Sequence, residues 1–224
     1  MSMQTLRDKK TEWIAEIITN NTDENIDRLL VVGCGSGIEA AILAQCLDTQ
    51  VVGIDVVKDF DPDAMAIATL QLGDAMALDF DDCSFDFVYS FHALEHISDP
   101  IAALREMHRV LKAGGGYWFG APNRSRAIGY VGSKQLTLAE KIQWNLTDWK
   151  ARLAGKFTNE MGAHAGFTSA EFRQLISSEF STINNMSDVY YATLYSNHRQ
   201  FLSILRKSRL SKIAYPSVYF MGRK

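Results

Sequence analysis

The chain has 224 residues, 47% of them apolar, which is enough to bury one sizeable core. Its 23 Lys and Arg against 26 Asp and Glu leave a formal charge of -3, which excludes a general electrostatic attraction to a polyanion. Three cysteines, Cys34, Cys46 and Cys83, are an odd count without close spacing and fit neither a disulfide framework nor a C-x-x-C metal pair.

The N-terminal segment mixes charges in a helix-like pattern, without the apolar core of a signal peptide. No stretch reaches the run of about 18 apolar residues that a membrane helix needs, so a cytoplasmic chain without a transmembrane segment is expected. From residue 29 to 120, short apolar runs alternate with helical patterns, the rhythm of βαβ units around a buried parallel sheet. Strands are expected at 29–32, 51–55, 68–72, 85–90 and 116–120. Between the first two, Ile38, Ile42 and Cys46 recur at four-residue intervals and mark the buried stripe of a helix. Between the second and third, Asp59, Asp61, Pro62 and Asp63 leave room only for a short or frayed helix and read as a solvated loop. A further helix begins at an Asp99 cap with Pro100 in its first turn, carries Ile101, Leu104 and Leu111, and is expected to stop at Ala113-Gly114-Gly115.

After Pro122 the rhythm breaks. Residues 123–166 read as a helical insertion or lid, with Leu138, Ile142, Leu146, Trp149 and Leu153 on one helical face. With Tyr130, Trp144 and Phe157 it could cover a small organic or lipid-like acceptor, pack on the sheet, or form a dimer surface. A capping box (Thr168 with Glu171) and a hydrophobic staple (Phe167 with Phe172) then start a helix. Strands are expected at 181–190 and 217–221, separated by a basic helical stretch holding Arg199, Arg206, Lys207, Arg209 and Lys212. Such a stretch is a solvated face or a contact for an anionic substrate or membrane surface. The whole chain, 1–224, therefore reads as a single α/β domain: a Rossmann-like, doubly wound, mostly parallel seven-stranded sheet with helices on both faces and an insertion after strand 5.

The chemistry concentrates at strand ends. Gly33-Cys34-Gly35-Ser36-Gly37 follows a buried strand and opens a helix, where glycines permit unusual backbone angles and close approach of a ligand. Read from Gly35, the dinucleotide pattern GxGxxA survives through Gly37 and Ala40, so an NAD(P)-dependent oxidoreductase is a competing reading. Asp55, with Val56 beside it, ends the second strand, where a carboxylate accepts hydrogen bonds from both ribose hydroxyls of either cofactor. Gly73-Asp74-Ala75 follows the third strand and Ser90-Phe91-His92 closes the fourth.

Together these four ordered motifs, spanning residues 28–123, resemble the class I S-adenosylmethionine-dependent methyltransferase family, of small-molecule type. The resemblance implies that Gly33, Gly35 and Gly37 wrap the methionine end of the cofactor and that Asp55 holds its ribose. It also implies that Asp74 meets the adenine amino group, that Ala75 lines the ring, and that Ser90 and Phe91 lie beside the methionine moiety. A dehydrogenase has no reason to carry Gly73-Asp74-Ala75 at this place. A third reading is a catalytically silent protein that binds the donor.

His92-Ala93-Leu94-Glu95-His96 matches the H-x-x-E-H zinc-peptidase pattern. That site needs a long helix and a third ligand, whereas this segment starts at a strand end and soon meets Asp99-Pro100, so no metal is expected. His92 and His164 are the candidates for a general base, needed only if the acceptor must lose a proton. Cys34, between glycines, reads as packing. The motifs for adenine N6 and cytosine C5 methylation are absent, which argues against a nucleic-acid acceptor and for a small molecule; the atom methylated and the oligomeric state are not legible.

Overall fold

The computed structural model describes residues 6–129, 136–159 and 165–224. Helix α1 (Lys9–Asn20) is capped by Asp8, whose carboxylate accepts from the Thr11 N–H. The expected parallel strands follow as β1 (Arg28–Val32), β2 (Gln50–Asp55), β3 (Thr69–Leu72), β4 (Phe85–Phe91) and β5 (Leu111–Pro122). They are linked by α2 (Ile38–Leu47), a four-residue α3 (Pro62–Met65) and α4 (Pro100–Val110). The shortness of α3 meets the expectation from the acidic run: Asp61 caps it, accepting from the N–H groups of Asp63 and Ala64.

Beyond the sheet's centre come α5 (Leu138–Leu153), α6 (Ser169–Ile176), β6 (Asn184–Asn185), α7 (Ser187–Leu194), α8 (Arg199–Lys207), α9 (Ser211–Ala214) and β7 (Ser217–Arg223). Strand order is β3-β2-β1-β4-β5-β7-β6, with β7 antiparallel to both neighbours. Two cores result, because alternate residues of each central strand face opposite sides. Leu29, Val31, Phe87, Tyr89 and Trp118 pack under α1, α2 and α7. Leu30, Val32, Val88, Tyr117 and Phe119 pack under α4 and α6.

Three expectations need correction. Cys46 is exposed and does not continue the buried stripe of α2, which runs through Ala40 to Ala44. Helix α4 ends at Val110 and the chain passes directly into β5; Gly114 and Gly115 lie in a bulge where the β4–β5 register shifts. The bulge needs them, because Gly114 has φ +78° and a Cβ on Gly115 would come within 2.9 Å of the Asp86 carbonyl oxygen. Residues 181–190 are not one strand either. Only Asn184 and Asn185 pair, and the Asn185 side chain then accepts from the Ser187 N–H and turns the chain into α7.

The expected helix start at Thr168 is present, with both arms of its capping box and the Phe167 and Phe172 rings stacked 5.2 Å apart. Helix α5 opens with an equally complete box between Thr137 and Glu140.

Candidate functional site

The parallel strands deliver their C-terminal ends to one edge, and the glycine loop, Asp55, Asp74 and Phe91 all lie there. At the end of β1, the Gly33 and Cys34 N–H groups both donate to the Ile54 carbonyl, at 2.9 and 3.0 Å. The chain then turns through positive φ at Gly33, Gly35 and Gly37. A Cβ on Gly33 would lie 2.2 Å from Ala93 Cβ, and one on Gly37 would lie 2.1 Å from a Leu70 methyl. A Cβ on Gly35 would meet nothing within 4 Å. Gly33 and Gly37 thus seat the loop on the protein, while Gly35 presents bare backbone to open space.

Asp55 ties the loop to β2. Its Oδ2 accepts from the Gly35 N–H at 2.8 Å and its Oδ1 from the Val57 N–H at 3.0 Å. An ionised carboxylate offers about four acceptor positions, so two remain for a vicinal diol. Val56, 73% exposed, forms an apolar shelf beside it. On the neighbouring strand end, the Gly73 N–H donates to the Asp55 carbonyl at 3.0 Å, which brings Asp74 and Ala75 alongside. Asp74 is exposed and one of its oxygens accepts from the Met76 N–H at 2.8 Å; Ala75 is buried.

The end of β4 forms the other wall. Phe91 stacks on the His92 ring at 4.2 Å, and Lys10 of α1 places its Nζ 5.0 Å from the Phe91 ring centre. His92 is exposed, has φ +53°, and holds its Nε2 3.0 Å from the Ser217 hydroxyl at the start of β7. Ser90 is fully buried with its hydroxyl unpartnered, and Phe91 beside it is half-buried. His164 lies outside the described residues, as does Tyr130. Cys34 is buried, and burial with the nearby Asp55 charge pushes its thiol up to about 12, which removes it as a nucleophile.

The surroundings of two acids here were not visible in the sequence. Glu39, in the first turn of α2, accepts from the Tyr89 hydroxyl at 3.3 Å and pairs with Lys10 at 3.6 Å; burial raises its pKa. Its place just after the glycine loop was the one available clue. Glu95 is buried with neither oxygen hydrogen-bonded, and His96 Nε2 is 3.9 Å away. Burial pushes its pKa up to about 7, partly offset by the Glu95 backbone N–H and by the charge of Arg126. Residues 94–96 form a single 3-10 turn, so the long helix required by the H-x-x-E-H pattern is not formed. Among the described residues no cluster of His, Cys, Asp and Glu is arranged to hold a metal ion.

A cavity of about 470 Å³ lies at the opposite edge, lined by Asn21, Ile26, Lys112, Gly115 and Thr182. The Lys112–Asp86 ion pair beside it is already closed at 2.6 Å, and nothing there matches the glycine loop.

The segment from β1 to β5 that builds this edge is also where known proteins match. Residues 30–119 match the family model described as "Methyltransferase domain". The demethylmenaquinone methyltransferase of Staphylococcus epidermidis is 33% identical over 111 residues, 46% of each chain. The match therefore spans less than half the length of that relative. The Haemonchus contortus phosphoethanolamine N-methyltransferase 2, solved with S-adenosyl-L-methionine, superposes with a TM-score of 0.57 at 19% identity, covering 94% of this chain and 51% of that one. The cyclase SpnF superposes with a TM-score of 0.58 at 19% identity over 95% and 80% of the two chains.

The strand order, the glycine turn and the paired acids at β2 and β3 define a doubly wound nucleotide-type fold. Residues 30–119, which carry this edge, are the part of the chain that matches a methyltransferase domain.

Proposed function

We propose that the chain is an S-adenosylmethionine-dependent methyltransferase acting on a small molecule, and that it works as one domain in which residues 123–166 are an insertion. The observation that carries this reading is the Gly35–Asp55 contact beside the open side of Gly35. A glycine backbone without an obstructing neighbour and a carboxylate with spare acceptor capacity suit the two ends of an adenosyl sulfonium. When bound, that cofactor supplies a methyl carbon activated by positive sulfur.

The residues here bind and orient. Gly33, Gly35 and Gly37 hold the methionine end, Asp55 takes the ribose hydroxyls, and Val56 and Ala75 flank the adenine with Asp74 at its amino group. Phe91 forms the wall next to the methionine portion, with Ser90 behind it. His92, clamped by Phe91 and Ser217, can take a proton from an acceptor that must lose one; His164 is the other base candidate. Displacement at an activated carbon depends mostly on such positioning. The relatives act, by their names, on a quinone precursor and on phosphoethanolamine. That range supports a small-molecule acceptor over nucleic acid, and the three free thiols suit a reducing cytoplasm.

Calorimetry with S-adenosylhomocysteine tests the reading. Wild-type protein should bind, and Asp55→Ala should bind at least about 100-fold more weakly, since two hydrogen bonds to a charged group contribute about 1.5–3 kcal/mol each. Equal affinity of the two proteins, or heat with NADH in place of the methyl-donor product, contradicts it. Binding without methyl release across a broad acceptor panel would identify a silent relative.

A further inference from the structure

Helix α5 faces the wrong way for a water-exposed helix. Its inward side is polar: Asn145 exchanges two hydrogen bonds with the Gly129 backbone, at 2.7 and 3.1 Å, and Asp148 pairs with the buried Arg126 at 3.1 Å. Asp148 is its only buried residue. The apolar stripe runs beside this polar strip and stays largely in water, with Leu138 75% and Leu153 91% exposed, Ile142 and Leu146 about half exposed, and Trp149 half exposed at the border. A surface helix normally does the reverse, since apolar area left in water forfeits about 25 cal/mol per Å².

Through Ala127 the chain ties α5 to α9, which follows α8 in sequence. Ala127 is gripped from both sides: its carbonyl accepts from Trp149 Nε1 at 2.8 Å, and its N–H donates to the Ile213 carbonyl at 2.7 Å. Ile128, Leu210 and Ile213 are exposed along this seam. Between residues 199 and 212 the chain carries five Lys and Arg and no Asp or Glu, although its total charge is -3. Arg206 is paired with Asp188 at 3.1 Å, whereas Lys207, Arg209 and Lys212 make no ion pair among the described residues. Lys150 and Lys156 add exposed positive charge from the α5 side.

We infer that this face docks on an anionic lipid bilayer, with the α5 stripe and the seam entering the headgroup boundary and the lysines and arginines meeting lipid phosphates. Cations interleaved with exposed Leu, Ile and Trp match that partner on both counts. A second copy of the chain would set like charges against each other across a two-fold axis. Nucleic acid would use the charges and leave the apolar stripe in water. Among the described residues no helix is long and apolar enough to cross a membrane, so the contact is at the surface. It adjoins the strand-end edge, because α9 leads directly into β7, whose Ser217 reaches His92.

Sedimentation with vesicles tests this, using phosphatidylcholine alone and phosphatidylcholine mixed with phosphatidylglycerol. Wild-type protein should pellet with the mixed vesicles and be released by high salt. Lys207→Glu combined with Lys212→Glu should weaken that partitioning by at least about 30-fold, from roughly fivefold per lysine near an anionic surface. Leu146→Ser combined with Leu153→Ser should weaken it while leaving the melting temperature and S-adenosylhomocysteine binding unchanged, which separates this surface from the reading of the site. The inference is overturned if wild-type protein ignores the mixed vesicles, or if it binds both kinds equally. It is also overturned if the leucine variant instead breaks up a dimer, or if duplex nucleic acid is bound in place of lipid.

Discussion

Helices α2 and α5 present a direct contrast. Helix α2 is buried along Ala40 to Ala44 and disappears into the sheet, whereas α5, longer and equally rich in Leu, Ile and Trp, buries a single aspartate. The contrast shows that an apolar stripe in sequence states only that a face seeks an apolar partner. Whether that partner is the chain's own core depends on the polar strip beside it, and in α5 Asn145, Asp148 and the Trp149 indole N–H make the long-range contacts.

Substitutions in the two regions should therefore differ sharply. Phe87→Ala, in the fully buried part of β4, should cost about 3–5 kcal/mol in denaturant unfolding. Asp148→Ala leaves Arg126 buried without its carboxylate and should cost about 3 kcal/mol, with hydrogen exchange rising first around Arg126 and α5. A uniform rise over the whole chain would mean that α5 is part of the main cooperative unit.

Glu95→Gln sharpens the comparison through pH. The folded-state pKa near 7 lies above the ordinary carboxylate value, so the unfolded chain loses this proton more readily and the native state is penalised as pH rises through 4.5 to 7. The variant should match wild type in stability at pH 4 and exceed it above pH 7 by up to about 3 kcal/mol, at about 1.4 kcal/mol per pKa unit. A constant difference across that range would contradict the burial of a carboxylate without hydrogen bonds. Smallest of all, Leu153→Ser should change stability by less than about 0.5 kcal/mol, since its side chain is already in water.

The region from β1 to β5 was readable because β1, β2 and β4 are mainly buried apolar runs ended by short turns, with β3 the exception at Thr69–Leu72. Gly33 to Gly37, Asp55 and Gly73-Asp74 declare themselves through local spacing. The Thr137–Glu140 capping box was also visible in the letters and could have fixed the start of α5. Residues 181–190 were misread because Ile183, Val189 and Tyr190 are residue types that favour a strand, and the turn set by Asn185 decided for a helix. The burial of Glu95 and the Arg126–Asp148 pair were out of reach, because a pair 22 residues apart and the burial of a carboxylate are products of tertiary packing alone.

Amide chemical shifts followed during titration with S-adenosylhomocysteine are the most direct check on the proposal that this strand-end edge binds the adenosyl group. The expected perturbations fall on Gly33 to Gly37, Asp55 to Val57 and Asp74 to Met76, with the Gly35 amide moving most as its bond to Asp55 adjusts. Perturbations confined to the opposite edge around Lys112 and Thr182, or none at saturating ligand, would contradict it.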